Sequence, residues 1–310
     1  MARRKITIAG AGNVGAAIAH GLTLAELGDV VLLDVIEGLP QGKALDLAEA
    51  TPMLASNVSL AGVNTFDETC NSDIVIVTAG LTRKPGMSRS DLLAKNAETV
   101  ARVMEGIVPG SPDAILILVT NPLDTMAYLA MRTSGFPRER VLGMAGILDT
   151  ARYRTFVAME LGVSVEDVTA LVLGGHGDTM VPLPRLTLVG GIPLEEMLDH
   201  EAIERIVQRT RDGGIEIANC LKTGTAHYAP AAATIQMVEA ILKDQKRIFP
   251  CSVYLQGEYG LRDVFAGVPV LLGAGGMERI LELRLLEEES EALEFSAHAV
   301  RKEIAALALE

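Results

Sequence analysis

One histidine lies in a setting that suits proton transfer. Among the five histidines, only His176 stands in a glycine-rich segment, GGHGD at residues 174–178, of the kind that forms loops. His20 and His298 fall on expected helices and His200 lies among acidic residues, so a structural or solvated role explains those three. An imidazole can accept a hydroxyl proton and later return it, because its pKa lies near neutral pH. His176 is therefore the candidate proton carrier.

A carboxylate and a guanidinium lie three residues apart in the segment ILDTAR at residues 147–152, where a helix is expected to start. Asp149 and Arg152 share one face of that helix, and as an exposed ion pair they would contribute only roughly 0.3–0.5 kcal/mol. In a functional site, Arg152 could bind a carboxylate through two N–H groups while Asp149 orients an imidazole. Both interpretations stay open, since Asp149 precedes His176 by 27 residues.

A basic loop follows the apolar run at residues 73–77. It reads LTRKPGMSR at residues 81–89 and carries Arg83, Lys84 and Arg89. By composition alone, an exposed basic turn is the simpler interpretation. A position at the carboxyl end of a parallel strand, where such sheets bind ligands, instead favours recognition of an anionic substrate.

The segment GAGNVG at residues 10–15 has the spacing G-x-G-x-x-G, and Asp34 ends the next apolar run 19 residues after Gly15. Glycines also cluster in ordinary turns, but here the motif closes an expected strand and opens an expected helix. Gly10 permits a tight turn, Gly12 allows a pyrophosphate to approach, and Gly15 lets the helix pack on the sheet. Asp34 would accept hydrogen bonds from the adenosine ribose and repel a 2′-phosphate, which predicts NAD rather than NADP.

The elements that must position these residues alternate in the first half of the chain. Apolar runs at residues 5–9, 29–33, 73–77 and 114–119 predict buried parallel strands. The stretches between and after these runs predict helices near residues 13–26, 40–50, 90–108 and 123–134. We expect an α/β Rossmann fold with a doubly wound parallel sheet.

The pattern changes after about residue 145, where glycines and prolines interrupt it. Helices are predicted near residues 195–222 and 228–243, followed by a β-rich region at 248–276. The last helix carries one apolar face, which packs on the core or a partner; its residues are Leu293, Ala297, Val300, Ile304 and Leu307. We therefore predict an NAD-binding Rossmann domain at residues 1–145 and an α+β catalytic and substrate domain at residues 146–310.

Composition excludes several classes of protein. The chain has 310 residues, of which 49% are hydrophobic, and a formal net charge of −13, which disfavours binding to nucleic acid. Its apolar runs fall short of the roughly 20 residues that span a bilayer, so no membrane association is expected. Cys70, Cys220 and Cys251 are widely spaced, which predicts reduced thiols, no bound metal and a cytoplasmic location.

Five motifs occur in the order that one known family shows. They are GAGNVG with Asp34, TRKPGMSR at 82–89, TNPLD at 120–124, LDTAR at 148–152 and GGHGD at 174–178. Together they resemble the L-lactate/malate dehydrogenase family over essentially the whole chain, and within it the lactate-dehydrogenase-like malate dehydrogenases. The resemblance implies NAD-dependent, reversible oxidation of (S)-malate to oxaloacetate, a reaction of the tricarboxylic acid cycle.

The resemblance also implies a role for each matching residue. His176 would be the proton acceptor, paired with Asp149, while Arg152 binds the substrate's C1 carboxylate. Arg89 would polarise the reacting C–O bond, and Asn121 would donate a hydrogen bond to the substrate. The implied cofactor site comprises Gly10, Ala11, Gly12, Asn13, Val14, Gly15, Asp34, Asn96, Val119, Thr120 and Asn121.

Arg83 would decide the substrate, because lactate enzymes of the family usually carry glutamine there and a guanidinium can pair with a second carboxylate. Met87 and Ala226 agree with a dicarboxylate pocket, whereas His227 departs from the aromatic residue expected beside Ala226. The alternatives are an L-lactate or another 2-hydroxy acid dehydrogenase and, as a weaker one, a non-catalytic dinucleotide-binding protein. Members form dimers and tetramers, so a homo-oligomer is expected, held partly by apolar helix faces such as that of the last helix.

Overall fold

The structure, a computed structural model, describes residues 3–81 and 88–307, and of Arg89 only the backbone. Arg83 and Met87, with the rest of the segment 82–87, and the side chain of Arg89 therefore lie outside the described residues. Among the helices that are described, none is both long and apolar enough to cross a membrane.

Eight helices and fourteen strands occur in the described part of the chain. The helices are α1 (Asn13–Leu24), α2 (Leu39–Leu54), α3 (Arg89–Ile107), α4 (Leu123–Ser134), α5 (Ala145–Leu161), α6 (His200–Leu221), α7 (Tyr228–Leu242) and α8 (Glu287–Ala305). The strands are β1 (Lys5–Ala9), β2 (Asp29–Leu33), β3 (Leu60–Val63), β4 (Ile74–Val77), β5 (Ile115–Leu118), β6 (Val141–Gly143), β7 (Val168–Thr169), β8 (Val172–Leu173), β9 (Val181–Pro182), β10 (Leu188–Val189), β11 (Ile192–Pro193), β12 (Arg247–Gln256), β13 (Arg262–Gly273) and β14 (Gly276–Ile280).

A nine-stranded sheet runs through the chain in the order β14-β13-β12-β6-β5-β4-β1-β2-β3. Its six parallel strands have the order 3-2-1-4-5-6 of a doubly wound Rossmann sheet, which confirms the predicted fold class. The order reverses between β1 and β4, so the carboxyl ends of these two strands border the crevice where such sheets bind ligands.

The apolar runs are buried on both faces, as predicted. Ile6 and Ile74 pack in the cluster on one face of the sheet, whereas Val75 and Val77 pack in the cluster on the other. This division follows from the strand repeat, because successive side chains point to opposite faces. The sheet is therefore a rigid base for the loops at its edge.

Sequence patterns missed two strands of the parallel sheet and the five two-residue strands β7 to β11, and they misplaced one helix start. β3 contains Ala61 and Gly62 and is only partly buried, and β6 has three residues, so neither forms a recognisable apolar run. α6 begins at His200 and not near residue 195, because the Asp199 carboxylate accepts the Ala202 N–H at 2.8 Å and caps the helix.

The last helix packs on its own chain. Leu293, Ala297 and Val300 are buried, and Ile304 and Leu307 are partly buried against the same core. α8 thus covers β13 and α4. The expectation that this apolar face holds an oligomer together is wrong, since the face is already covered within the chain.

The second half of the chain attaches its histidine loop to this sheet through paired glycines. Gly174 N–H donates to Gly267 O at 2.9 Å, and Gly267 N–H donates to Gly174 O at 2.8 Å. A Cβ on Gly267 would lie 2.7 Å from Gly174 O, too close for any side chain. The loop before His176 therefore depends on a bare backbone at β13.

We expect Gly267→Ala to lower the free energy of unfolding by about 1–3 kcal/mol, because the new methyl group pushes Gly174 off the strand. Urea unfolding monitored by circular dichroism measures this change. Gly42→Ala is the control, since a Cβ there meets nothing within 4 Å inside α2 and should leave stability equal or slightly higher. Equal stabilities of the two variants would contradict the requirement for glycine at position 267.

Candidate active site

The glycine motif joins β1 to α1 and has the shape that a dinucleotide requires. Gly10 has φ +111°, and a Cβ on Gly15 would lie 1.9 Å from Gly10 O, so the turn and the close packing of the helix both exclude side chains. Above Gly12 a Cβ would meet nothing within 4 Å, which leaves room for a phosphate. α1 has no side-chain cap, so its first N–H groups can bind an anion.

Asp34 is held beside this motif at the end of β2. Its Oδ2 accepts the Ala11 N–H at 2.8 Å and its Oδ1 accepts the Ile36 N–H at 3.0 Å. Carboxylate oxygens have further lone pairs, so Asp34 can still accept hydrogen bonds from ribose hydroxyls. The residues at this end of the crevice fit the adenosine half of NAD.

Lys43 was not singled out by the sequence patterns. Its Nζ donates to Gly12 O at 3.2 Å from α2, which places a cation at the glycine motif. Lys43 follows Gln41 and Gly42 in the sequence, and this order gives no signal for a cofactor site. Its position beside the motif becomes visible only when α2 packs there.

On the β4 side of the switch point, Asn96 joins the segment after β4 to the segment after β5. Its Nδ2 donates to Asn121 O at 2.7 Å and Leu81 O at 3.1 Å, while its Oδ1 accepts the Leu81 N–H at 2.7 Å. The residue is fully buried on α3. Its side chain therefore holds backbone at the end of β5 and at the start of the basic loop, beside the place where the resemblance puts the nicotinamide.

The remaining cofactor candidates follow β5. Val119 and Thr120 are buried, and the Thr120 hydroxyl donates to Ala79 O at 2.8 Å, which ties the ends of β5 and β4. The side chain of Asn121 is exposed. Each lies at the carboxyl edge of the sheet, as its predicted role requires.

His176 and Asp149 meet although they are far apart in sequence. The Nδ1 of His176 lies 2.9 Å from Oδ2 of Asp149, and the two side chains are 14% and 2% exposed. Because a carboxylate accepts hydrogen bonds, Nδ1 carries the hydrogen and Nε2 is left as the basic nitrogen. Burial by itself favours the neutral ring, but the charge and hydrogen bond of Asp149 outweigh it and raise the pKa of His176.

Arg152 lies on the other side of Asp149. Its Nη1 is 3.2 Å from Oδ1 of Asp149, and its side chain is only 13% exposed. The pair is therefore buried, unlike the exposed ion pair considered from the sequence. The Nε of Arg152 is buried and has no hydrogen-bond partner among the described residues. An unpaired buried donor costs about 1–3 kcal/mol, so this guanidinium is arranged for a further acceptor such as a carboxylate.

Two glycines of α6 make room for that guanidinium. A Cβ on Gly213 would lie 3.3 Å from Cδ of Arg152, whereas one on Gly214 would lie 3.8 Å from Nη2. Glycine in a helix interior costs about 1 kcal/mol relative to alanine, so a pair of glycines at this point requires a reason. Two adjacent glycines inside a helical pattern are a usable sequence signal for a close approach, although they do not identify the neighbouring side chain.

Asp124 is a further residue to which the sequence patterns assign no role. It lies in the TNPLD motif, yet an acid in the first turn of a helix is ordinarily an exposed charge at the positive end of the helix dipole. Here Asp124 is 4% exposed, and its Oδ2 accepts the backbone N–H of His176 at 2.7 Å. The geometry thus places a second carboxylate behind the histidine.

Other features of the described surface do not compete with this site. A cavity of about 450 Å³ near Arg4 and Asp73 lies at the amino ends of the parallel strands, opposite the edge where such sheets bind ligands. Within residues 3–81 and 88–307, no group of three or more His, Cys, Asp or Glu side chains is arranged to hold a metal ion.

Comparisons with known proteins agree with the geometry. Residues 4–143 match the lactate/malate dehydrogenase NAD-binding domain, and residues 147–309 match the alpha/beta C-terminal domain of the same family. The chain is 59% identical over 305 residues to a malate dehydrogenase of Roseiflexus sp. strain RS-1, covering 98% of this chain and 99% of that one. It is 54% identical over 305 residues to a malate dehydrogenase of Heliobacterium modesticaldum, with the same coverage.

Solved structures show the same relationship. The malate dehydrogenase from Salinibacter ruber aligns with a TM-score of 0.94 and 52% identity, covering 98% of this chain and 97% of that one. The lactate dehydrogenase from Cryptosporidium parvum in complex with lactic acid and NAD aligns with a TM-score of 0.96 and 43% identity, covering 99% of this chain and 98% of that one. The chain belongs to the lactate/malate dehydrogenase family, and its amino-terminal half is an NAD-binding domain.

Proposed function

We propose that the protein is an NAD-dependent malate dehydrogenase that interconverts (S)-malate and oxaloacetate, with His176 as the proton carrier. The observation that carries the proposal is the buried cluster of His176, Asp149 and Arg152, in which the basic Nε2 and an unpaired guanidinium N–H are both left for a ligand. High identity to proteins named malate dehydrogenase supports the choice within the family.

NAD, when bound, exchanges a hydride with the substrate carbon that carries the hydroxyl group. Its adenosine half would lie on the glycine motif and Asp34, and its nicotinamide half beside Asn96 and the segment 119–121. The open space above Gly12 and the lack of a side-chain cap at the start of α1 support this placement. Lys43 adds positive charge beside the motif.

The side chains of this chain supply orientation and proton transfer. Arg152 binds the C1 carboxylate, and Asn121 donates a hydrogen bond to the substrate. Nε2 of His176 takes the hydroxyl proton as the C–O bond becomes a carbonyl, and Asp149 stabilises the resulting imidazolium. In the reverse direction the same proton returns to the oxygen. Arg89 would polarise the C–O bond.

Arg83 carries the proposed choice of a dicarboxylate, since a second guanidinium can pair with the C4 carboxylate. Two described residues border the expected substrate wall. Ala226 is partly buried, and His227 is the N-cap residue of α7, with its ring centroid 4.1 Å from that of Tyr228. An imidazole tilted against the Tyr228 ring thus replaces the aromatic side chain expected at 227, and it leaves the proton-transfer groups in place.

The decisive experiment follows NADH absorbance with oxaloacetate and with pyruvate. We expect a higher kcat/KM for oxaloacetate, and Arg83→Gln should reduce this discrimination by roughly 2–4 kcal/mol because a charge-assisted pair is lost. Lys84→Gln removes the same charge from the neighbouring position and should leave the discrimination unchanged.

Other outcomes of this assay point elsewhere. A higher kcat/KM for pyruvate in the unmodified protein would establish a lactate dehydrogenase. NADH binding without turnover of either acid would favour a dinucleotide-binding protein. Discrimination that Arg83→Gln leaves intact would remove Arg83 from the substrate site.

Gly213→Ala should weaken substrate binding, because the new methyl group would press on Cδ of Arg152 and displace the guanidinium at the end of that side chain. We expect KM for oxaloacetate to rise on the order of tenfold. Gly214→Ala is the matched control, because its methyl group makes an ordinary contact and removes one helix glycine, so the melting temperature should rise without a change in KM. Identical KM values for the two variants would argue against this role.

The two directions of the reaction should respond oppositely to pH. Oxidation needs neutral His176, whereas reduction needs its imidazolium form. Since the pKa of His176 is raised, the imidazolium persists to higher pH than in free histidine. As pH rises through that pKa, kcat for reduction should fall and kcat for oxidation should rise. Steady-state profiles in both directions measure this, and parallel profiles would speak against His176.

The broader expectations remain proposals. They are a homo-oligomer, either a tetramer or a dimer, a small dicarboxylate substrate, no nucleic-acid or membrane partner, a cytoplasmic location, and the division into domains at residue 145.

A further inference from the structure

Asp124 is a buried acid that the mechanism above does not use. It lies in the first turn of α4 and is 4% exposed. Among residues 3–81 and 88–307, the charged groups that act on it are the imidazole of His176 and the carboxylate of Asp149. A buried carboxylate is costly unless hydrogen bonds or an opposite charge compensate it. Its retention here calls for a function.

Asp124 connects three parts of the fold at the histidine. Its Oδ1 accepts the Ser252 hydroxyl of β12 at 2.5 Å, and its Oδ2 accepts the backbone N–H of His176 at 2.7 Å. One residue earlier, Gly175 N–H donates to the Ser296 hydroxyl of α8 at 2.8 Å. The backbone that carries the imidazole is thus fixed by side chains from α4 and α8.

The charges around the imidazole also fit a proton carrier. Besides Asp124 on α4, the charged groups of the described residues that act on His176 are Asp149 and Arg152, both on α5. The hydrogen bonds that β12 and α8 make to Asp124 and Gly175 come from the two uncharged serines named above. With a neutral ring the cluster holds two negative charges and one positive, and protonation of the ring balances them. Each carboxylate therefore favours the imidazolium.

We propose that Asp124 is a positioning residue for proton transfer: it fixes the backbone of His176 and, with Asp149, supplies the negative charge that stabilises the imidazolium. The proposal rests on the proposed role of His176. Asp149 acts at the ring and Asp124 at the backbone, so the two carboxylates have separate contacts and a common electrostatic effect.

The raised pKa of Asp124 adds a second titrating group beside His176. Burial raises its pKa to about 6, although the hydrogen bonds from Ser252 and His176 oppose that rise. At neutral pH the carboxylate is mostly charged and supports the imidazolium. In acid it becomes neutral and this support is lost. The protons of the two groups are therefore coupled.

Asp124→Asn separates the charge from the contacts. An amide oxygen can still accept the His176 N–H, and the amide nitrogen can donate to Ser252. We expect the pKa of His176 to fall by about 0.5 to 1 unit, the scale expected when one nearby screened charge is removed. The titration is followed by NMR of protein labelled at histidine Cε1, without cofactor or substrate, and His176→Asn assigns the signal.

The matched control is Glu303→Gln. Glu303 on α8 accepts a hydrogen bond from the Thr125 hydroxyl at 3.0 Å. Thr125 follows Asp124 on α4, so Glu303 is an acid that contacts the same helix turn. It is not among the groups that shift His176. Its removal should leave the titration of His176 where it is.

The kinetic readout follows from the same shift. In Asp124→Asn, the midpoint of the pH profile for oxaloacetate reduction should move to lower pH with the NMR pKa, while KM changes little because Arg152 is untouched. An unmoved pKa in a folded variant would show that Asp124 is only structural and would overturn the proposal. A shifted pKa in a protein whose unmodified form reduces no keto acid would leave the coupling intact and reject the proposed function instead.

Ser252→Ala provides a second test that keeps the acid and also decides the case if Asp124→Asn fails to fold. Loss of the hydroxyl removes a hydrogen bond that holds the Asp124 pKa down, so the carboxyl stays protonated to higher pH. The pKa of His176 should then fall in the same direction by a smaller amount. An unchanged His176 titration in this variant would also overturn the proposal.

Discussion

The hydrogen bond between Nδ1 of His176 and Asp149 is the contact on which the proposed proton transfer depends. It decides which nitrogen of the ring is basic, and it keeps the ring ready for a second proton despite its burial. Neither residue can make this contact alone. α5 brings the carboxylate, and a loop tied to β13 by paired glycines brings the imidazole. Both α5 and this loop are anchored to the large sheet, which places Asp149 and His176 within hydrogen-bond distance.

The opposite end of the crevice is built from backbone. Gly10 and Gly15 allow the turn and the helix to come closer than any side chain would permit. Asp34 and Lys43 then attach to that backbone and place charge beside it. Cofactor recognition thus depends on close approach to the backbone, whereas the proposed substrate chemistry depends on buried ionic groups. One sheet edge serves both needs because its strand order reverses there.

Much of this arrangement follows from the sequence. Apolar runs and the glycine spacing predict the parallel strands and the cofactor loop, since both depend on local patterns. The contacts of Asp124 and Gly213 could not be predicted, because a buried acid and an exposed one look alike in a helix's first turn, and a helix glycine reveals its neighbour only after packing. The meeting of His176 with Asp149 was suggested by family resemblance and not by spacing. Arg83, which would decide the substrate, lies outside the described residues.

The antiparallel hairpin β12–β13 does more than extend the sheet. Ser252 on β12 lies opposite Gly143 on β6, so the last parallel strand has its outer neighbour in the second half of the chain. An amino-terminal fragment ending after β6 would therefore present an open, apolar strand edge to solvent, the kind of surface that invites self-association. The glycine motif and the proposed proton carrier lie in different stretches of sequence, and this shared strand border predicts that neither stretch folds well without the other.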